Sequence, residues 1–226
     1  MIVKAFNIRD IDLKFFVAVN QIKLNYKQFI DLNNIHNEEN ALNSFFAILE
    51  EIQNKNKNSV IQFIKEKYIL NQDHIFTACY YVEKAFLQKI NISNKKSIEF
   101  LLYLATNRQI NKSIDAFGID YSDLKKQSLI YCIISPINNF NKISKEIIKA
   151  LGAEQEELVI NKLSDNKINE IKEFFEISDN QLNSILKSYG IKVNNSEISL
   201  KYVSSAIYDL ICEKMALLHI ERASAM

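Results

Sequence analysis

The chain has 226 residues, 48% hydrophobic and 24% charged, and its 28 Lys plus Arg against 27 Asp plus Glu leave a formal net charge of +1. Such a composition belongs to a globular chain that buries a core without disulfide or metal staples. Three glycines, Gly118, Gly152 and Gly190, and a single Pro136 exclude a G-x-G-x-x-G dinucleotide loop, a Walker-type phosphate loop and a G-x-S-x-G nucleophile elbow.

In chain order, apolar runs at 2–8 and 13–22 predict two strands. From 26 to 56 the texture changes: Phe29, Leu32, Leu42, Phe45, Phe46 and Leu49 fall at helical spacing, and the polar run 54–58 closes the block as a loop. Because 31–51 holds five acids and no Lys or Arg, residues 25–57 read as an acidic helical insertion. The rest, 1–24 plus 58–222, forms the core of a single domain spanning 1–226. A strand at 60–70 leads to Asn71 as N-cap of a helix to about 88, with Ile75, Cys79, Val82 and Phe86 on one face. A second helix covers 95–105. Thr106 and Gln109 then match a capping box, predicting a third helix that ends at Gly118 in the left-handed conformation. Further on come a strand at 129–135, a helix at 140–151 ended by Gly152, and a strand at 158–163. Helices at 165–176, 180–188 and 199–220 complete the chain, with Gly190 as a stop. The pattern predicts an α+β fold: a small mixed or antiparallel sheet covered by helices, with a long C-terminal helix.

Cys79, Cys132 and Cys212 are odd in number, scattered and without a C-x-x-C pair, so they read as buried small hydrophobes. His36, His74 and His219 stand far apart, and adjacent acids such as Glu50 and Glu51 diverge around a helix, so neither a metal site nor an acid–base dyad is indicated. No run reaches the roughly 20 apolar residues of a membrane helix, and the first nine residues lack a signal-peptide core. We therefore expect a cytoplasmic protein with no cofactor, no metal and no membrane partner, while a nucleophile–base pair that meets only in space stays open at this point.

The near-neutral total hides polarity along the chain. Residues 84–126 hold eight basic residues (Lys84, Lys89, Lys95, Lys96, Arg108, Lys112, Lys125, Lys126) against four acids. Helix N-termini offer unpaired N–H groups to anions, and Arg108 in a first helical turn would oppose the helix dipole. It either grips a phosphate or simply points to water or a carboxylate. On the C-terminal helix, Val203, Ala206, Ile207, Leu210, Leu217 and Leu218 form one apolar stripe, with Tyr208, Cys212, Met215 and His219 in a second line beside it. The second line serves either the core, the default, or a partner.

The run Ile-Glu-Phe-Leu-Leu-Tyr-Leu-Ala-Thr-Asn-Arg-Gln-Ile at 98–110 is followed by Ala116-Phe-Gly-Ile119. With Asp73-His74-Ile75 ahead of it and Glu213-Lys214-Met-Ala-Leu217 behind, it resembles the central signature of the PRPK-binding protein family, in an archaeal-type form. The resemblance implies the small, non-catalytic regulatory subunit of the KEOPS complex, which makes threonylcarbamoyladenosine in tRNA. Such a subunit docks on and stimulates the complex's kinase-like ATPase, meets the other KEOPS subunits indirectly, and in archaeal members captures the tRNA 3′ CCA end. It implies tRNA contacts at Lys95, Lys96, Thr106, Asn107, Arg108 and Gln109, and a kinase-docking face at Tyr208, Cys212, Met215 and His219. Tyr103 stands where some relatives carry a basic residue, which suggests base stacking in place of an ionic contact. A protein-only scaffold without tRNA contact and a small enzyme with a spatially assembled site are the alternatives.

Overall fold

The computed structural model describes residues 1–160, 163–191 and 198–218. Its elements, in order, are β1 (Ile2–Ile8), β2 (Leu13–Leu24), α1 (Tyr26–Leu32), α2 (Ala41–Lys55), β3 (Val60–Ile64), α3 (Gln72–Gln88), α4 (Lys96–Ala105) and α5 (Ile110–Phe117). Then follow α6 (Tyr121–Lys125), β4 (Ser128–Ser135), α7 (Phe140–Leu151), β5 (Ala153–Glu156), α8 (Asp165–Phe174), α9 (Asp179–Ser188) and α10 (Leu200–Leu217). The α+β class and the long terminal helix are as expected, and the sheet is antiparallel throughout. The chain divides into two compact units: 1–65 with 118–159, and 66–117 with 160–226.

The first unit is built around β2. Its first half pairs with β1, its last four residues pair with β5 on the same side, and β4 lies along its other edge, giving the order β1-β2-β4-β3. Asn20 and Gln21 are buried in mid-strand, and each amide is satisfied. Asn20 Nδ2 donates to the Tyr131 hydroxyl at 2.7 Å, and Gln21 Nε2 donates to Ser128 Oγ at 2.7 Å and Glu156 Oε2 at 2.9 Å. A one-residue slip would turn these groups to the wrong face unpaired, so they pin the register. Helices α1, α2 and α7 cover one face of the sheet, where Phe29, Phe45, Leu49 and Ile52 join Phe63, Tyr131, Ile143 and Ile147 in one apolar cluster. Segment 25–57 thus supplies much of this unit's core, through the apolar stripes that the sequence shows.

Several boundaries differ from expectation. The strand expected at 60–70 ends at Ile64, because the polar run Lys65-Glu66-Lys67 turns away: Lys65 pairs with Asp120 at 2.8 Å, and the Ile69 N–H closes a turn on the Glu66 carbonyl. Gly118 is not a left-handed cap; it bridges Ile64 in extended conformation. The strand expected at 158–163 lies earlier, at β5, because Gly152 in the left-handed region reverses the chain directly onto β2; residues 161 and 162 lie outside the described residues. Helix α6 was not anticipated, although Asp120 and Asp123 form a reciprocal capping box.

The second unit is helical among its described residues. Asn71 caps α3 as expected, its Oδ1 accepting the His74 N–H at 2.9 Å, and Ile75, Cys79 and Val82 are buried. Along α10, Ala206, Ile207, Leu210, Ile211 and Met215 are buried. The cysteines are unbridged: Cys79 and Cys132 are buried and Cys212 is half-buried. No helix among the described residues is long and apolar enough to cross a membrane.

His74 is fully buried. Its Nδ1 accepts the Leu70 N–H, so Nε2 carries the proton toward the Leu104 carbonyl at 3.1 Å, and burial lowers its pKa to about 4. The unfolded chain titrates near 6.5 and binds the extra proton first, so this contribution is complete above that value and declines as pH falls toward 4. We predict a loss of roughly 3 kcal/mol across that window. Urea midpoints measured from pH 7 to 4 should show the slope in the native chain and lose it in His74→Gln.

Candidate functional site

The basic segment is organised by a buried carboxylate. Glu99 has no exposed surface, and its oxygens accept the backbone N–H groups of Ile92 at 3.0 and 3.1 Å and of Ser93 at 2.7 Å. Burial pushes its pKa up against those hydrogen bonds. The effect is to fold loop 90–95 onto the first turn of α4 and fix where Lys95 and Lys96 stand. Lys95 is the exposed N-cap of α4. Lys96 is not an open cation: its Nζ pairs with Glu83 at 2.6 Å and lies 5.5 Å from the Phe86 ring centroid.

Thr106 does not begin a helix. It ends α4 in the left-handed region at φ 47°, its N–H bonding the Tyr103 carbonyl and the Asn107 N–H the Leu102 carbonyl, which is a Schellman closure. α5 begins only at Ile110, and the turn between is held by Asn107 Oδ1, which accepts the Gln109 N–H at 2.8 Å. Ser113 Oγ reaches back to the carbonyls of Asn107 and Gln109 at 3.2 and 3.1 Å. In place of the expected capping box at a helix start stands a helix end, because Thr and Asn serve both kinds of turn.

Arg108 is accordingly not in a helical first turn. Its Nη1 donates to the Leu218 carbonyl at 2.7 Å, at the C-cap of α10, where a cation favours the helix dipole. Arg108 is half-buried, and its charge works against the rise that burial imposes on the Glu99 pKa. Tyr103 is 1% exposed and stacks on Tyr81 with centroids 5.5 Å apart, so the expected base-stacking role does not fit it.

Asn107 faces an open cavity of about 420 Å³ that it lines with Tyr68, Lys112, Asp115, Phe174 and Glu176. Tyr68 and Phe174 stack at 4.2 Å, and Lys67 Nζ lies 4.9 Å from the Tyr68 ring centroid. An aromatic pair, an amide and a lysine beside a backbone turn can stack a planar ring, bond its edge and meet an anion. Tyr68 and Phe174 carry no local signal in the sequence; only the packing of α8 beside the segment before α3 joins them.

On α10 the second line divides. Met215 has no exposed surface, which corrects its assignment to a docking face; it is core. His219 lies outside the described residues. Tyr208 and Cys212 are half-buried; the Tyr208 hydroxyl meets Thr77 Oγ1 of α3 at 2.6 Å. Burial pushes the Cys212 thiol up, away from the thiolate a nucleophile needs. Beside them Lys84 lies about 6 Å from the centroids of Tyr80 and Tyr81, so the α3–α10 surface carries hydroxyls, rings and one amine. Among the described residues, no group of three His, Cys, Asp or Glu side chains could hold a metal ion.

Thr106 is β-branched in a conformation that costs such residues about 1 kcal/mol or more. Thr106→Gly is expected to raise stability by about 0.5–1 kcal/mol despite its entropy cost in the unfolded chain, read as a higher urea midpoint at unchanged slope.

No curated protein matches the chain. A family model described as kinase binding protein CGI-121 matches residues 32–219, taking in the Glu99 clamp, the turn at 106–109, the cavity and all of α10. With that match covering most of its length, the chain belongs to the kinase-binding CGI-121 family.

Proposed function

We propose that this protein is the non-catalytic regulatory subunit of a KEOPS-type assembly that makes threonylcarbamoyladenosine in tRNA. In this reading the α3–α10 surface around Tyr208 and Cys212 docks on the kinase-like ATPase, and the turn at 106–109 with its cavity receives the tRNA 3′ CCA end. The observation that carries the reading is the family match, which spans both surfaces in one alignment. The stacked Tyr68–Phe174 pair with Asn107 and Lys112 supports it, because terminal nucleotides are unpaired and offer ring faces to stack and edges to bond. Lys95 remains available as a phosphate contact, whereas Lys96 and Arg108 act mainly by holding Glu83 and the end of α10.

The test is tRNA binding with and without the CCA end, at low salt where electrostatic attraction is strongest. Removal of CCA, and Lys112→Glu, are each expected to weaken binding by about tenfold or more. Lys112 is exposed, so its variant should keep the native melting temperature. Arg108→Glu is a poorer probe because it also withdraws the donor from the Leu218 carbonyl. Equal binding of both tRNAs would overturn the CCA reading.

A protein-only scaffold is the second reading, favoured by Asp115 and Glu176 on the cavity wall, which repel phosphate. Cys212→Arg, and independently Lys84→Glu, are expected to abolish co-purification with the kinase-like subunit while melting stays cooperative. Under the scaffold reading those two variants lose the kinase and the native chain binds neither tRNA.

A further inference from the structure

Strand β1 ends the sheet. Of the described strands it pairs only with β2, and its own residues stay open to solvent: Val3, Lys4, Ala5 and Asn7 are exposed, and Ile2, Phe6 and Ile8 are half-buried. It is seven residues long, with one charge and no proline to blunt it. Its inner side is firmly set, since Phe6 stacks on Phe15 with centroids 4.5 Å apart and planes 2° from parallel. The opposite edge, β3, is shorter and has Gly118 bridged to Ile64. A long, open edge strand is a template for another strand.

The sequence of β1 says which strand fits. Two copies running antiparallel about a two-fold axis at Ala5 place Ile2 opposite Ile8, Val3 opposite Asn7 and Lys4 opposite Phe6. This is the register that pairs all seven residues, and no like charges meet in it. A shift that brings Lys4 opposite Lys4 sets two ammonium groups face to face and leaves two residues at the end of each strand unpaired; such a like-charge pair is unfavourable. Lys4 therefore selects the register while leaving the edge open. In the two-fold register it also lies across from a ring, and within one copy its Nζ already lies 5.5 Å from the Phe6 centroid.

We propose that β1 is a self-association edge: two copies of this chain join antiparallel through β1, continuing the sheet from one copy into the next. The contact is isologous and closes after two copies, because each uses the same edge and exhausts it. It uses neither the cavity beside Asn107 nor the α3–α10 surface, so it stands whatever becomes of the reading above.

The experiment measures self-association of the full chain by sedimentation equilibrium. Because Val3 and Asn7 face each other across the axis and both are exposed, V3K/N7K creates two Lys–Lys pairs without touching the core. It is expected to weaken the dimer by about tenfold or more. V3K/N7E places opposite charges at the same two pairs and is expected to restore it. Register is read by mild oxidation: V3C mixed with N7C should give a disulfide-linked heterodimer, and neither alone should do so. A native chain that stays monomeric to its solubility limit overturns the proposal. So does a dimer indifferent to both charge variants, which would place the contact elsewhere.

Discussion

A strand buried on both faces has no water to satisfy its polar groups, and in this protein that constraint falls on β2. Every residue from Val17 to Ile22 is buried, including two amides in mid-strand. Each is met by a side chain from β4 or β5, so β2, β4 and β5 can pair in one register only. β1 and β5 share one edge of β2 in succession, and β4 takes the other. The helices of 25–57 belong to the same construction, since Phe29, Phe45, Leu49 and Ile52 cover the sheet residues beneath them.

In the second unit single polar groups hold loops to helices. Glu99 gathers two backbone N–H groups, His74 ties the approach to α3 to the carbonyl of Leu104, and Arg108 holds the C-cap carbonyl of α10. All three converge on α4 and the turn that follows it. A protein that presents a surface to macromolecules needs such fixed turns, because a loop that must be ordered on binding loses affinity. The strained Thr106 is consistent with a turn whose geometry is imposed by its surroundings.

Charge along the sequence is a poor guide to charge available to a ligand. Eight basic residues lie in 84–126, yet Lys96 is neutralised by Glu83 and Lys126 by Asp123, and Arg108 is turned to a carbonyl. What remains near the turn is Lys112 and the lysine above Tyr68, while Lys95 stands at the opposite end of α4. The aromatic pair Tyr68–Phe174 then becomes as informative as the cations, although neither residue stands out in the sequence.

Much of the fold was legible in the sequence because it rests on local periodicity. β1, the start of β2, α3, β4, α7 and α10 each carry an apolar run or stripe whose length and spacing suit the element that forms, and Asn71 caps as its side chain dictates. The sequence also carried the family signature at 98–110. Tertiary structure decided the rest. It turned Thr106 from a start into a stop, because the direction of a turn depends on which helix packs behind it. It moved Met215 into the core and left Tyr208 and Cys212 at the surface, although all three lie on one line of one helix. It joined Tyr68, Asn107, Lys112 and Phe174 around one cavity, because residues far apart in the chain meet only when helices pack.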